Sequence, residues 1–183
     1  MSGDHGHRIA TREQAERIIN RHRTFWVSDC GCRVGRGRKC RHGRTNVCLS
    51  FGNPGPKGAS GGGNTKKVTR AFVDKLLAHA AAEHLIHHPF NYGKDPIGTG
   101  VCFCCDDCCY LFNPKPAPYA KGTLIERTDK QVCIHCGRCT KVCYFGARTM
   151  KRKKLHLNRR LCSGCGLCTD VCPADAIEMV KRS

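Results

Sequence analysis

Acidic side chains, aromatic rings and long apolar runs are all scarce in this chain of 183 residues. Asp and Glu total 14 against 32 Lys and Arg, a formal net charge of +18. So basic a chain is expected to meet acidic protein surfaces or phosphates. No uncharged apolar stretch approaches the roughly 18 residues that a membrane-spanning helix needs. The N-terminus, MSGDHGHRIATREQAERIINRH, has neither the apolar centre of a secretory signal nor a twin-arginine pair. The expectation is a soluble cytoplasmic protein, with no membrane span and with reduced thiols. A phosphate loop, paired carboxylates at motif spacing and a nucleophile triad are also missing, so nothing points to a substrate pocket of those kinds. Near the basic runs the aromatics are Tyr144 and Phe145, too few to stack the bases of a single strand.

Cysteine is the residue in excess. There are 17 in 183 residues, within the about 8–10% at which a short chain is read as a disulfide scaffold or a metal protein. They inflate the 40% hydrophobic content, so the true apolar core is thin and needs staples. Adjacent pairs such as Cys104-Cys105 and Cys108-Cys109 suit disulfides poorly, because bridged Cα atoms usually stand about 4.4–6.8 Å apart with a defined torsion. Metal is the better expectation.

Residues 133–143 read CIHCGRCTKVC and residues 162–173 read CSGCGLCTDVCP, so one C-x2-C-x2-C-x3-C spacing occurs twice. Three thiolates on a tight loop reach three irons of one cube, and the fourth points to the neighbouring cube. This spacing assigns Cys133, Cys136, Cys139 and Cys172 to one 4Fe-4S cluster and Cys162, Cys165, Cys168 and Cys143 to a second. Gly137, Gly164 and Gly166 suit loops with unusual dihedrals. Zinc sites favour two separated cysteine pairs around one ion instead.

Over residues 119–183 the chain resembles the bacterial-type two-cluster ferredoxins. The resemblance implies a pseudo-twofold α+β module, with GTLIERTD, LHLN and AIEMV as strands, a KRKK turn, and brief helices after each fourth cysteine. Pro173 follows Cys172 as in that family, but Tyr144 stands where the first run would carry proline. Tyr144 there implies a looser turn, an aromatic wall, or an amide returned to a sulfur. His135, inside the first loop, has two readings: a proton-linked hydrogen bond that tunes the potential near neutral pH, or a solvated loop residue.

Nine cysteines remain: Cys30, Cys32, Cys40 and Cys48, then Cys102, Cys104, Cys105, Cys108 and Cys109. All nine are candidate ligands of one or two further 4Fe-4S clusters or of zinc. DCGCRVGRGRKCRHGRTNVCLSFG followed by VCFCCDDCC is similar to uncharacterised anaerobe-type cysteine-rich dicluster proteins, and the crowded thiols are read as half of one or two sites completed by the upstream four. His42, His84, His87 and His88 are secondary ligand candidates. Between the groups, NPGPKGASGGGNTKK reads as a flexible loop. Thr69 offers an N-cap for a helix burying Phe72, Val73, Leu76, Leu77, Ala80 and Leu85. TREQAERIINRH starts with a capping box and puts Ala15, Ile18 and Ile19 on one side. The expected architecture is an N-terminal helical segment over 1–28, a mostly helical cysteine-rich module over 29–118, and a ferredoxin-like domain over 119–183.

Charge gathers in RVGRGRKCRHGR (33–44) and RTMKRKKLHLNRR (148–160). Two cubes at about −2 each leave the chain near +14. A basic face beside a redox centre steers an acidic partner protein, and the same face holds nucleic acid phosphates. The leading expectation is an iron-sulfur electron carrier or an electron-transferring subunit. Two alternatives are an iron-sulfur enzyme with an open iron at an upstream cluster, and a redox-responsive regulator that binds nucleic acid.

Overall fold

The computed structural model describes residues 8–36, 39–91, 100–112 and 119–182. Positions 37 and 38 of the first basic run lie outside the described residues, as do the first seven residues. Both capping signals act as read. Thr11 Oγ1 accepts from Gln14 N at 3.3 Å and Thr11 N donates to Gln14 Oε1 at 3.0 Å, which starts helix α1 (Arg12–Ile19) with Ala15 and Ile19 buried. A short turn of helix, α2 (Gly31–Val34), follows Cys30. Thr69 Oγ1 accepts from Phe72 N at 3.3 Å and starts α3 (Arg70–Ala82), whose buried face is Val73, Leu76, Leu77 and Ala80.

The upstream half is built on a sheet where mostly helices were expected. Strands β1 (Phe25–Ser28), β2 (Cys48–Ser50), β3 (Lys66–Val68), β4 (Ile86–Phe90) and β5 (Gly100–Cys104) form one antiparallel sheet in the order β3-β1-β2-β5-β4. These strands are three to five residues long and all five positions of β4 are buried, so little polar-apolar alternation marks them in the sequence. Alternation still governs where their side chains go. Leu49, Val101 and Phe103 join Ala15, Ile19, Leu76 and Ala80 in the core shared with α1 and α3. Cys102, Cys104 and Ile86 belong to a second cluster, with Ile9, Leu111, Val142 and Leu167, that joins the two halves of the chain.

The glycine-rich stretch is stitched down rather than loose. Gly31 N donates to Ser60 Oγ at 3.0 Å, and Asn64 Nδ2 and Thr45 Oγ1 donate to the Asp29 carboxylate at 2.6 and 2.7 Å. A Cβ on Gly62 would stand 2.1 Å from Asp29 O, so here glycine serves close backbone approach.

The C-terminal third holds β6 (Leu124–Thr128) paired with β9 (Ile177–Lys181), and a hairpin of β7 (Arg148–Lys151) and β8 (Lys154–Leu157). All the expected strands are present. Arg152 and Lys153 both adopt positive φ, 48° and 61°, as a two-residue hairpin turn requires. The brief helices sit earlier than expected. α4 (Arg138–Lys141) and α5 (Leu167–Asp170) carry the third cysteine of each run instead of following the fourth, because Gly137 and Gly166, left-handed at φ 75° and 80°, turn the chain into helix directly after the second cysteine. Residues 8–10 tie the halves together: Ile9 N donates to Ala120 O and Ala10 N to His87 O, both at 3.0 Å. Among the described residues no helix is long and apolar enough to cross a membrane.

Candidate metal centres

The paired runs bring their thiols together in two sets. Cys133, Cys136, Cys139 and Cys172 line one cavity with Ile134, Leu155, Pro173 and Ile177. Cys143, Cys165 and Cys168 each lie close enough to Cys162 for it to disturb their ionisation, and Cys143 in turn raises Cys165 and Cys168. Burial pushes the Cys165 and Cys168 thiols up to about 12. The Leu167 amide opposes this at Cys165 and the Arg148 charge opposes it at Cys168, while Cys143 and Cys162 raise both. A metal centre there must displace those protons, and its binding is therefore linked to pH. Backbone donors point at sulfur as well: Ala176 N donates to Cys172 Sγ at 3.3 Å.

Residues 127–179 match the family model of the 4Fe-4S dicluster domain. The C-terminal third is a ferredoxin-like 4Fe-4S dicluster module. None of the curated proteins matches the chain. The match covers the last third only, and the donor chemistry fits the cofactor: thiolate sulfur, loops bent by glycine, and amides aimed at sulfur are what hold such clusters.

Within the dicluster module, sequence reasoning missed Arg148. It was counted in a surface stripe, yet its side chain is 1% exposed and is paired with Glu126, itself 3% exposed, at 2.5 Å. Its Nη1 donates to Cys139 Sγ at 3.5 Å and its Nη2 to Thr128 Oγ1 at 2.8 Å. Burial opposes the guanidinium charge, but Cys168, Cys139 and Glu126 together raise its pKa. Arg148 thus stands between the two thiol sets. Lys151, Arg152, Lys153 and Lys154, at the tip of the same hairpin, are exposed. Arg33 of the first run is also buried, donating to the carbonyls of Arg44 and Phe103.

Two other positions resolve. Tyr144 is an aromatic wall: its ring meets Phe112 edge-on at 6.0 Å, within the cluster that joins the halves. Burial, then Asp106, Cys165 and Cys105, raise its phenol to about 12, so it lies between upstream and dicluster thiols. His135 takes φ 53° at the position matched by Gly164, φ 79°, in the other run. Its Nδ1 accepts from Leu155 N at 3.1 Å and lies 4.0 Å from Cys133 Sγ. It is a fixed loop anchor, and no longer reads as merely solvated.

The nine upstream thiols also gather, in two groups. Cys40, Cys105 and Cys108 place their sulfurs within 4.8 Å of one another, all three buried. The other six lie close enough to perturb one another: Cys30 with Cys32, Cys32 with Cys109 and Cys109 with Cys104, while the Cys48 and Cys102 sulfurs stand 3.6 Å apart. Interaction with Cys109 and Cys30 holds the Cys32 thiol down, and the same interactions hold Cys109 and Cys30 up. Of the histidines, His88 reaches this group, with Nδ1 3.9 Å from Cys104 Sγ. His42 is engaged elsewhere, between Glu83 at 2.9 Å and Asp106 at 2.8 Å. His87 is buried on the opposite face of β4, against Phe103 at 5.4 Å. His84, at φ 50°, lines a groove with Arg138, Tyr144 and Asp170.

Proposed function

We propose that this protein is an iron-sulfur electron carrier, or an electron-transferring subunit of a redox complex, with a metal centre added upstream of its dicluster module. Cys133, Cys136, Cys139 and Cys172 would hold one 4Fe-4S cluster and Cys162, Cys165, Cys168 and Cys143 the other. Such clusters supply one-electron cycling at potentials set by burial, sulfur hydrogen bonds and local charge. The observation that carries the reading is the exchange of fourth cysteines: Cys172 lines the cavity of the first run, and Cys143 disturbs the thiols of the second. That exchange is what the C-x2-C-x2-C-x3-C spacing demands of a pair of cubes.

The chain's own groups have definite parts in this reading. Arg148 donates to a ligand sulfur, and Ala176 N donates to another. Val132 and Ile134, 46% and 65% exposed, flank Cys133, and the exposed basic hairpin tip lies in the same module. Exposed apolar side chains and positive charge beside a redox centre fit an acidic redox partner.

Iron and acid-labile sulfide analysis of anaerobically purified protein tests the proposal, together with the spectrum on reduction. About 8 iron per chain in the module, bleaching on one-electron reduction, is expected. Cys143→Ser should disturb the cluster of the second run while sparing the first. Colourless protein, or damage confined to the first cluster, would refute the assignment.

A further inference from the structure

Adjacent cysteines in CFCCDDCC do not share a site. Cys104 ends β5 and, with Cys109, belongs to the cluster between the halves. Cys105 and Cys108 belong to the helix-side core, together with Cys40. Alternation at the end of β5 sends Cys104 and Cys105 to opposite faces, and the turn at 106–108 returns Cys108 to the side of Cys105 and leaves Cys109 on the other.

We propose that Cys40, Cys105 and Cys108 hold a single zinc ion, distinct from any centre formed by the other six upstream thiols. The proposal deepens the reading of an upstream metal centre and rests on it.

The spacing of donor atoms selects one ion over a cube. Zn–S bonds of about 2.3 Å in a tetrahedron set edges of about 3.8 Å between sulfurs. Cys40 and Cys105 sulfurs stand 3.7 Å apart, and Cys108 Sγ lies within 4.8 Å of both. Thiolates on different irons of a cube must stand further apart, since each caps its own corner. The local chain has the matching form. Cys105 and Cys108 have the two-residue spacing of a zinc half-site, and Cys108 N donates to Cys105 Sγ at 3.4 Å.

The surroundings suit the site. Three thiolates outweigh a divalent ion by one negative charge, and buried Arg33 offsets it. Burial raises the Cys105 thiol and the Arg33 guanidinium opposes it. Zinc does not change oxidation state, so this ion is a brace: it ties the 39–47 segment to the 105–108 turn, 65 residues away in sequence from Cys40 to Cys105.

The test is metal analysis with zinc K-edge absorption on the full chain, purified without oxygen. The expected result is about one zinc per chain, with three sulfurs at about 2.3 Å in its shell. Cys40→Ser and Cys108→Ser should each lose most of the zinc and keep the iron. Iron-replete protein without zinc would overturn the site, as would Cys40→Ser shedding iron and zinc together. Colourless protein that still holds zinc in this shell would refute the iron-sulfur reading while upholding the zinc site.

Discussion

Replacing Arg148 with methionine should lower the midpoint potential of the dicluster module. The guanidinium donates to Cys139 Sγ at 3.5 Å. At an effective dielectric of about 20, a full electron on that sulfur would be held by about 5 kcal/mol. An added electron is spread over a cube and four thiolates, so about a quarter of this, roughly 1.2 kcal/mol, falls to the one sulfur. For a one-electron couple that is about 50 mV. The interaction of the guanidinium with Cys168 implies a shift of the same sign in the second cluster. Glu126, 3% exposed, loses its partner at 2.5 Å in the single variant. Breaking a buried ion pair in this way costs about 3–5 kcal/mol, partly relieved here by Arg159, 3.6 Å from Glu126 Oε1. The double variant Arg148→Met with Glu126→Gln separates the effects: it should recover stability while keeping a smaller negative shift. Protein-film voltammetry reads the potentials and urea unfolding reads stability. A potential that stays put or rises in Arg148→Met refutes the electrostatic reasoning.

Three further outcomes are expected. Gly164→Ala would place a Cβ 2.2 Å from Leu124 O at φ 79°, whereas Gly61→Ala meets open space at φ 76°. The Gly61 change should cost about 1–2 kcal/mol of backbone strain and the Gly164 change clearly more, so equal melting temperatures would contradict the close-contact account. Thr11→Ala removes the acceptor of Gln14 N and should cost about 1 kcal/mol; an unchanged urea midpoint argues that α1 is held by Gln14 Nε2 bonding Thr123 Oγ1 at 2.9 Å instead. His87 is 2% exposed with no partner for either ring nitrogen among the described residues, and burial pushes its pKa down to about 4, with Arg12 adding and Glu16 opposing. Against an unfolded value of about 6.5, the unfolded chain binds the extra proton as pH falls. Its contribution to stability is therefore full above about pH 6.5 and lost progressively down to about pH 4, by up to about 3 kcal/mol. Urea midpoints of His87→Phe against the natural chain should show a flatter acid limb, and parallel curves would remove His87 as the cause.

Local chemistry was legible in the residue order wherever one short stretch carries its own reason. Threonine three residues before glutamine started α1, and the apolar spacing of Val73, Leu76, Leu77 and Ala80 faced α3 inward. The doubled four-cysteine spacing marked the 4Fe-4S dicluster module, because ligands of a cube must come from one tight loop and one visitor. The upstream sheet was hidden: its strands are short, β4 is buried throughout, and cysteine serves in it both as apolar filling and as thiol.

Other features required the folded chain because they depend on which surfaces meet. Arg148 and the lysines of its hairpin look alike in sequence, but the pairing of β6 with β9 and the turn after α4 bury Arg148 against Glu126 and leave Lys151, Arg152, Lys153 and Lys154 outside. Five thiols in eight residues announced metal by composition alone. Only the fold, with a sheet packed on two faces and a turn after its strand β5, could part Cys105 from Cys104 and Cys108 from Cys109 and bring Cys40 to one side. Residue order sets which chemistry the chain can offer; division of neighbours between opposite faces is a property of packing in three dimensions.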